Sequence, residues 1–380
     1  MTSDNSTGTP PAPLFALRPA VLNDIPELVR LEMLSFSSDQ LTARHFHHLL
    51  TRGHSSCLVI ERGSALVGYV LLLFRSGASL ARLYSLAVDP AWRGHGLARR
   101  LLEAAEESAR DQECAFLRLE VRKDNQRAIA IYREAGYRDI GEIADYYEDH
   151  SPALRMEKRL SPASRPKDAL IPYYCQSSYF TCGPAALMMA MKTLDPGMEL
   201  NRMLEFRIWR EATTIFMTSG LGGSSPHGLA LAAWYRGFDV DLYLNDAGPL
   251  FLDGVRDPKK KEVMELVHQE FVEEISHTSI RLFHARLTVD DLQSSHAKGA
   301  IPLVLISSYR IYREKNPHWI VVTGFDERFV YAHDPFVDVD EGQSITDSIN
   351  LPILRKEFER MSRYGKSQLR AAIVIRKRNT

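Results

Sequence analysis

Hydrophobic and polar positions alternate along this chain in two separate series of elements. The first begins with a short apolar run, Leu14 to Arg18, which predicts a strand. Ile25, Leu28, Leu31 and Leu34 recur at helical spacing and predict a helix over Asp24 to Phe36, capped by Asn23 or Asp24. Strand-like runs follow at Cys57–Glu61, Leu66–Phe74 and Ala81–Val88. A helix is expected over Leu97–Asp111, then a strand at Ala115–Val121 and a helix over Asn125–Ala135, which Gly136 ends as a C′ residue. A pair of strands between Arg138 and Leu160 closes the series.

Ser161-Pro162-Ala163-Ser164-Arg165-Pro166-Lys167-Asp168 interrupts the pattern and predicts a linker. The second series opens with a helix at Gly183–Thr193. Another starts at Pro226, with Ser225 as N-cap and proline at the first helical position. Strands are expected at Ile301–Ser307, His318–Phe325, Phe329–His333 and Ala371–Arg376. No internal repeat is present, so the two series predict two different domains. The boundaries expected are a disordered Thr/Pro/Ser-rich tail at 1–13, a first domain at 14–160, a linker at 161–170 and a second domain at 171–380.

Composition narrows the functional classes. Lys plus Arg (47) nearly cancels Asp plus Glu (48), so no global field favours nucleic acid or an acidic membrane. The local basic stretches Lys259-Lys260-Lys261 and Arg376-Lys377-Arg378 read as solvated surface. Met1-Thr2-Ser3-Asp4-Asn5 is unlike a signal peptide, and the longest apolar runs, Tyr69–Phe74 and Ile301–Ile306, are strand-length. Cys57, Cys114, Cys175 and Cys182 show no metal-finger spacing, which fits a reducing cytoplasm. His45, His47 and His48 crowd one polar helix and read as a solvated face rather than a metal set.

The first stretch with chemical content is Leu86-Ala87-Val88-Asp89-Pro90-Ala91-Trp92-Arg93-Gly94-His95-Gly96-Leu97-Ala98-Arg99-Arg100. A strand gives way to a glycine-bearing loop and then a helix. Small residues let backbone N–H groups approach a ligand, and the helix start suits a pyrophosphate. Arg93, Arg99 and Arg100 supply countercharge. Downstream come Leu119-Glu120-Val121, Asn125 and Tyr132, then Tyr146-Tyr147. Together these resemble the acetyl-CoA loop and second cofactor motif of the GNAT acetyltransferase superfamily. Within it they are most similar to ribosomal-protein N-terminal alanine acetyltransferases.

The resemblance spans about residues 14–160 and implies a mixed, mainly antiparallel sheet with flanking helices. It also implies acetyl-CoA as co-substrate and an N-terminal amine of a peptide or protein as acceptor. Carried over, Leu86, Ala87, Val88, Arg93, Gly94, His95, Gly96, Leu97, Ala98, Arg99, Asn125 and Tyr132 line the cofactor. Glu120 is the general base acting through water, and Tyr132 the acid that protonates the departing thiolate. An amine must lose a proton before it attacks a thioester, so a carboxylate there is chemically reasonable.

The second such stretch is Gln176-Ser177-Ser178-Tyr179-Phe180-Thr181-Cys182-Gly183-Pro184-Ala185. Cys182 stands at a helix start, a setting that favours the thiolate. A base and an orienting group are also needed. His318 opens one strand and Asp334-Pro335 follows the next, so adjacent antiparallel strands bring the pair side by side. Cys175 lacks the helix start and reads as structural. His227 competes with His318 as base but reads as a surface histidine in a cap region. His333 alternates to the opposite face from Asp334.

The arrangement resembles papain-like cysteine peptidases that remove leader peptides after a double glycine. It implies an α+β fold over about 170–380, with Cys182 as nucleophile, His318 as base, Asp334 as orienter and Gln176 as oxyanion donor. Thr181 departs from the family, which usually has Asp there, and no transporter follows. The region from about Leu244 to Ile280 looks like an addition to that pattern.

The two resemblances make an α/β plus α+β protein, a bifunctional peptide-modifying enzyme with no nucleic-acid or membrane partner. The alternatives are a second domain that only binds peptides, or one that acts as an amidase or transpeptidase.

Overall fold

A computed structural model describes residues 14–51, 53–161, 171–213, 222–252, 255–339 and 343–378. The expected tail at 1–13 and, apart from Ser161, the expected linker lie outside the described residues. The chain divides into two compact units, the first Met1–Arg75 with Leu80–Ser161 and the second Ser76–Ser79 with Pro162–Thr380.

The first unit runs β1 (Ala16–Pro19), α1 (Ile25–Ser35), α2 (Ala43–Thr51), β2 (Ser55–Arg62), β3 (Ala65–Phe74), β4 (Leu80–Val88), α3 (Leu97–Asp111), β5 (Phe116–Arg122), α4 (Gln126–Glu134), β6 (Arg138–Ile143) and β7 (Ala153–Arg159). Its sheet has the order β1-β2-β3-β4-β5-β7-β6. Every neighbouring pair is antiparallel except β4 with β5. β3 is apolar throughout because both of its faces are covered. Val67, Val70 and Leu72 pack with Leu97, Leu101 and Leu102 of α3, while Leu66, Tyr69 and Leu71 pack with Leu28 and Leu31 of α1 and Phe46 of α2. α2 turns Phe46 inward and leaves His45, His47 and His48 exposed.

One irregularity in this sheet matters for function. The β3–β4 ladder shifts register between Leu71 and Leu72, pairing Leu71 with Ser85 but Leu72 with Leu83, so Tyr84 is an extra residue in β4. The parallel ladder of β4 with β5 ends at the pair Leu83 and Leu119, although β4 continues to Val88 and β5 to Arg122. The two strands therefore part just beyond the bulge and leave one edge of Ser85–Val88 without a strand partner among the described residues.

The second unit runs α5 (Cys182–Leu194), α6 (Arg202–Ala212), α7 (Pro226–Tyr235), β8 (Phe238–Leu244), α8 (Pro258–Ser276), β9 (Arg281–Phe283), α9 (Val289–Ala297), β10 (Ile301–Ser307), α10 (Tyr309–Tyr312), β11 (Pro317–Phe325), β12 (Phe329–His333), β13 (Leu351–Leu354), α11 (Arg355–Met361) and β14 (Ala371–Lys377). The sheet order is β13-β12-β11-β10-β14-β8-β9, parallel only between β8 and β9. Leu187 and Met191 of α5, Ile208 of α6, Leu229 of α7 and Phe271 of α8 form one core with Leu303, Leu305, Trp319 and Ile373 of the sheet. α6 and α7 approach so closely that a Cβ on Gly228 would sit 2.5 Å from the Ala212 Cα, which explains the glycine.

Two readings are corrected here. The stretch from Leu244 to Ile280 is no appendage, because Phe271, Ile275 and Ile280 belong to the main core. His227 is not a surface residue: only 2% of it is exposed, and its ring meets that of His268 on α8 at 5.1 Å. Among the described residues no helix is long and apolar enough to cross a membrane.

Candidate active sites

In the first unit the candidate cofactor loop lies between β4 and α3. Asp89 caps a single 3-10 turn, Pro90–Trp92, by accepting from the Ala91 N–H at 3.0 Å. Gly94 (φ 85°) and Gly96 (φ 74°) both take left-handed backbone, and a Cβ on either would meet nothing within 4 Å. The conformation demands glycine. The open space above it leaves the first N–H groups of α3 accessible, where an anion is favoured. With the edge of Ser85–Val88 that pairs with no strand among the described residues, the loop puts backbone donors and a main-chain edge on one side of the sheet.

The side chains contribute unequally. Arg93 is exposed and its Nε donates to the Val88 carbonyl at 3.3 Å. His95 is exposed, with Nδ1 3.2 Å from the Trp92 and Arg93 carbonyls. Leu97 is core, so it offers backbone only. Arg99 is spent on an exposed pair with Glu103, and Arg100 donates to the Phe15 carbonyl. Asn125 Oδ1 caps α4 by accepting from the Ala128 N–H at 3.1 Å.

Glu120 sits on β5 one residue past the last β4–β5 pair, at the mouth of the opening. Its Oε2 accepts from Arg82 Nε at 2.7 Å, with both side chains almost fully buried. Oε1 is buried and has no hydrogen-bond partner among the described residues. One oxygen is anchored and the other is available to a proton or a donor. Arg82 also donates to the Tyr146 hydroxyl at 2.5 Å. The Tyr146 and Tyr147 rings meet edge-on at 4.9 Å, and burial, with the Glu120 carboxylate nearby, raises the Tyr147 phenol above its ordinary value. Burial pushes the Tyr132 phenol up to about 12, so it stays protonated across the neutral range.

In the second unit Cys182 is the first residue of α5, and Thr181 precedes it as N-cap residue. The positive end of the helix favours negative charge at this position. His318 Nε2 lies 2.7 Å from Asp334 Oδ1, and the His318 ring feels Cys182 electrostatically. With Nε2 given to Asp334, Nδ1 is the nitrogen left for sulfur. Burial disfavours the imidazolium, but the Asp334 carboxylate, with Cys182 adding to it, outweighs this and raises the pKa of His318 above the ordinary histidine value.

Asp334 is itself locked: Oδ1 also accepts from the Phe336 N–H at 2.9 Å, and Oδ2 accepts from the Tyr312 hydroxyl at 2.5 Å. Tyr312, whose ring stands 5.8 Å from that of His318, carried no sequence signal as a site residue.

The loop before Cys182 converges on one carbonyl. Ser178 O accepts from Gln176 Nε2 at 2.9 Å, from Thr181 Oγ1 at 2.8 Å and from Thr181 N at 3.1 Å. Thr181 therefore holds the loop, which accounts for a residue other than Asp at that place. Gln176 Nε2 has a second hydrogen beyond the one given to Ser178 O. Gly183 packs tightly, since a Cβ there would lie 2.9 Å from Leu229 Cδ1 and 3.1 Å from Trp319 Cδ1.

The other candidates fall outside this cluster. His333 is occupied by the Ile171 carbonyl and the Asn350 N–H. Cys175 is exposed rather than a core thiol, while burial pushes Cys57 and Cys114 up to about 12. Among the described residues no group of three or more His, Cys, Asp or Glu is placed to hold a metal.

Comparison with known proteins assigns each unit. Residues 171–376 match the Peptidase_C39 like family, and residues 23–137 match the acetyltransferase (GNAT) family. The chain is 30% identical over 135 residues to the putative [ribosomal protein bS18]-alanine N-acetyltransferase of Bacillus subtilis, covering 36% of this chain and 88% of that one. It is 33% identical over 150 residues to the N-alpha-acetyltransferase RimI of Mycobacterium tuberculosis, covering 39% of this chain and 89% of that one. Among solved structures, the ribosomal-protein-S18-alanine N-acetyltransferase from Escherichia coli aligns at TM-score 0.36 and 23% identity, covering 40% of this chain and 97% of that one.

Proposed function

Since the chain belongs to the Peptidase_C39 like family and carries a GNAT N-acetyltransferase domain that uses acetyl-CoA, we propose that it is a bifunctional peptide-modifying enzyme of the cytoplasm. The acetyltransferase acts on the N-terminal amine of a peptide or protein. The second domain is a Cys-His-Asp cysteine peptidase.

In acetyl transfer, Glu120 takes a proton from the acceptor ammonium through a water at its unpartnered Oε1. The freed amine attacks the thioester carbonyl, a C–N bond replaces the C–S bond, and Tyr132 hands its proton to the departing thiolate. In the peptidase, the Cys182 thiolate attacks the scissile carbonyl and His318 passes a proton to the leaving amine. Water then releases the acyl group, while Gln176 and the Cys182 N–H hold the oxyanion.

The observation that supports the peptidase reading best is the buried His318–Asp334 pair at 2.7 Å, with Cys182 near enough to raise the His318 pKa. Cys182→Ala and Tyr132→Phe, analysed separately by mass spectrometry of peptide products, test the whole. Cys182→Ala should abolish cleavage alone and Tyr132→Phe acetylation alone. If neither changes any product, the bifunctional reading is wrong. If a thiol-reactive probe fails to label Cys182, or labels it equally after His318→Ala, the second domain is a binding module.

A further inference from the structure

Directly across the β5–β7 ladder from Glu120 stands Arg155. Side chains of such a pair leave the sheet on the same face, with Cβ atoms roughly 5 Å apart. Arg155 is unlike the other arginines of this face. Arg82 is paired with Glu120 and Arg118 with Glu157. Arg155 forms no ion pair among the described residues, and its Nε is buried without a hydrogen-bond partner.

Desolvation lowers its pKa despite the neighbouring Glu120, with Arg118 opposing the charge as well. The fold makes room for it. Gly141 on β6 sits where a Cβ would come within 3.4 Å of Arg155 Nη2, and the β6–β7 register shifts at that glycine. Arg155 is half-buried, and a buried guanidinium nitrogen with no hydrogen-bond partner is costly and is kept where something else supplies the anion.

Resting on the reading of Glu120 as the proton acceptor, the geometry points to Arg155 as the specificity residue for the acyl acceptor, selecting amines that carry a carboxylate close by. The amine lies at the free Oε1 of Glu120 and its carboxylate at the Arg155 guanidinium one strand over. Two sources have that chemistry: a peptide whose first or second residue is Asp or Glu, and a free amino acid. A ligand phosphate is a poorer occupant, because the phosphate-suited donors sit at Gly94–Gly96, beyond the other end of the opening.

The test uses the full chain with acetyl-CoA and matched peptides beginning Asp, Glu, Ala-Asp, Ala-Ala and Ala-Lys, alongside free aspartate and free alanine. Wild type should favour the acidic peptides by about tenfold or more in kcat/KM, as for a charge-assisted contact. Arg155→Met should erase the preference through acceptor KM, leaving the acetyl-CoA KM unchanged. Arg155→Glu should turn the preference toward Ala-Lys. A merely structural arginine would lower Tm when replaced, whereas Arg155→Met should hold or raise it.

Preference for free aspartate over every peptide identifies the amino-acid source, and the reverse identifies the peptide. Equal use of all acceptors by wild type overturns this inference alone. A raised acetyl-CoA KM in Arg155→Met, with the acidic preference kept, overturns it by assigning the arginine to the cofactor. Acetylation of no amine at all by wild type overturns the reading of the domain with it.

Discussion

Asp334 Oδ1 stands 2.7 Å from His318 Nε2, and the carboxylate is wholly shut from solvent. Burial sharpens the attraction, and with Nε2 held by Asp334, Nδ1 is the ring nitrogen left for another partner. Asp334→Asn should lower peptide cleavage by about a hundredfold or more while leaving acetyl transfer intact. Tyr312→Phe removes the donor to Oδ2 and should give a smaller loss, about tenfold, in the same direction. Parallel assays of the two activities on each variant decide it.

The Thr181 hydroxyl is one of three donors to the Ser178 carbonyl and keeps Gln176 and Cys182 on one tightened loop. Thr181→Ser should retain cleavage. Thr181→Val keeps the shape and loses the hydrogen bond, so it should cost about 1 kcal/mol of local order and reduce kcat more than KM. Steady-state kinetics on a single peptide would show the split.

Gly96 is the N-cap of α3 with a left-handed backbone. Gly96→Ala costs about 1 kcal/mol in that conformation and should raise the acetyl-CoA KM while leaving peptide cleavage alone. Isothermal titration with CoA gives an independent measure.

The His227 pKa is pulled down to about 4 by burial first and by His268 and His284 next. The folded state therefore holds His227 neutral while the unfolded chain protonates it near the ordinary value of about 6.5. Its contribution is present above pH ~6.5 and is lost as pH falls toward 4. Wild type should lose Tm across that window, and His227→Asn should lose less of it between the two ends. Scanning calorimetry at pH 7 and pH 4.5 on both proteins measures the difference.

Much of this architecture was legible because its signals are local. Ser225-Pro226 marks the start of α7, and the β10 and β12 bounds follow from apolar runs between polar breaks. Cys182, His318 and Asp334 were named from one helix start and two strand ends, and His318 and Asp334 meet at 2.7 Å.

What escaped was set by tertiary context. The Tyr84 bulge has no sequence mark, since an extra residue in a strand shows only against its partner. α6 and α8 are strongly charged helices whose buried residues, such as Ile208 and Phe271, become evident only once α7 lies beside them. His227 looked exposed because a cap position usually is, and α8 covers it. Tyr312 and Arg82 act on the proposed catalytic carboxylates from other elements, at separations no motif spans.

Tyr84 has one more implication. β4 is a strand whose length, more than its lettering, is constrained. Delete that single residue and Leu83 adjoins Ser85 with every β3 partner and facing kept, so the local kink is lost and the seam to β5 is free to zip shut. Point substitutions along β4 can drift without closing the aperture, whereas a one-codon deletion should abolish it. Insertion and deletion scanning would therefore find a sharper boundary there than any amino-acid replacement series.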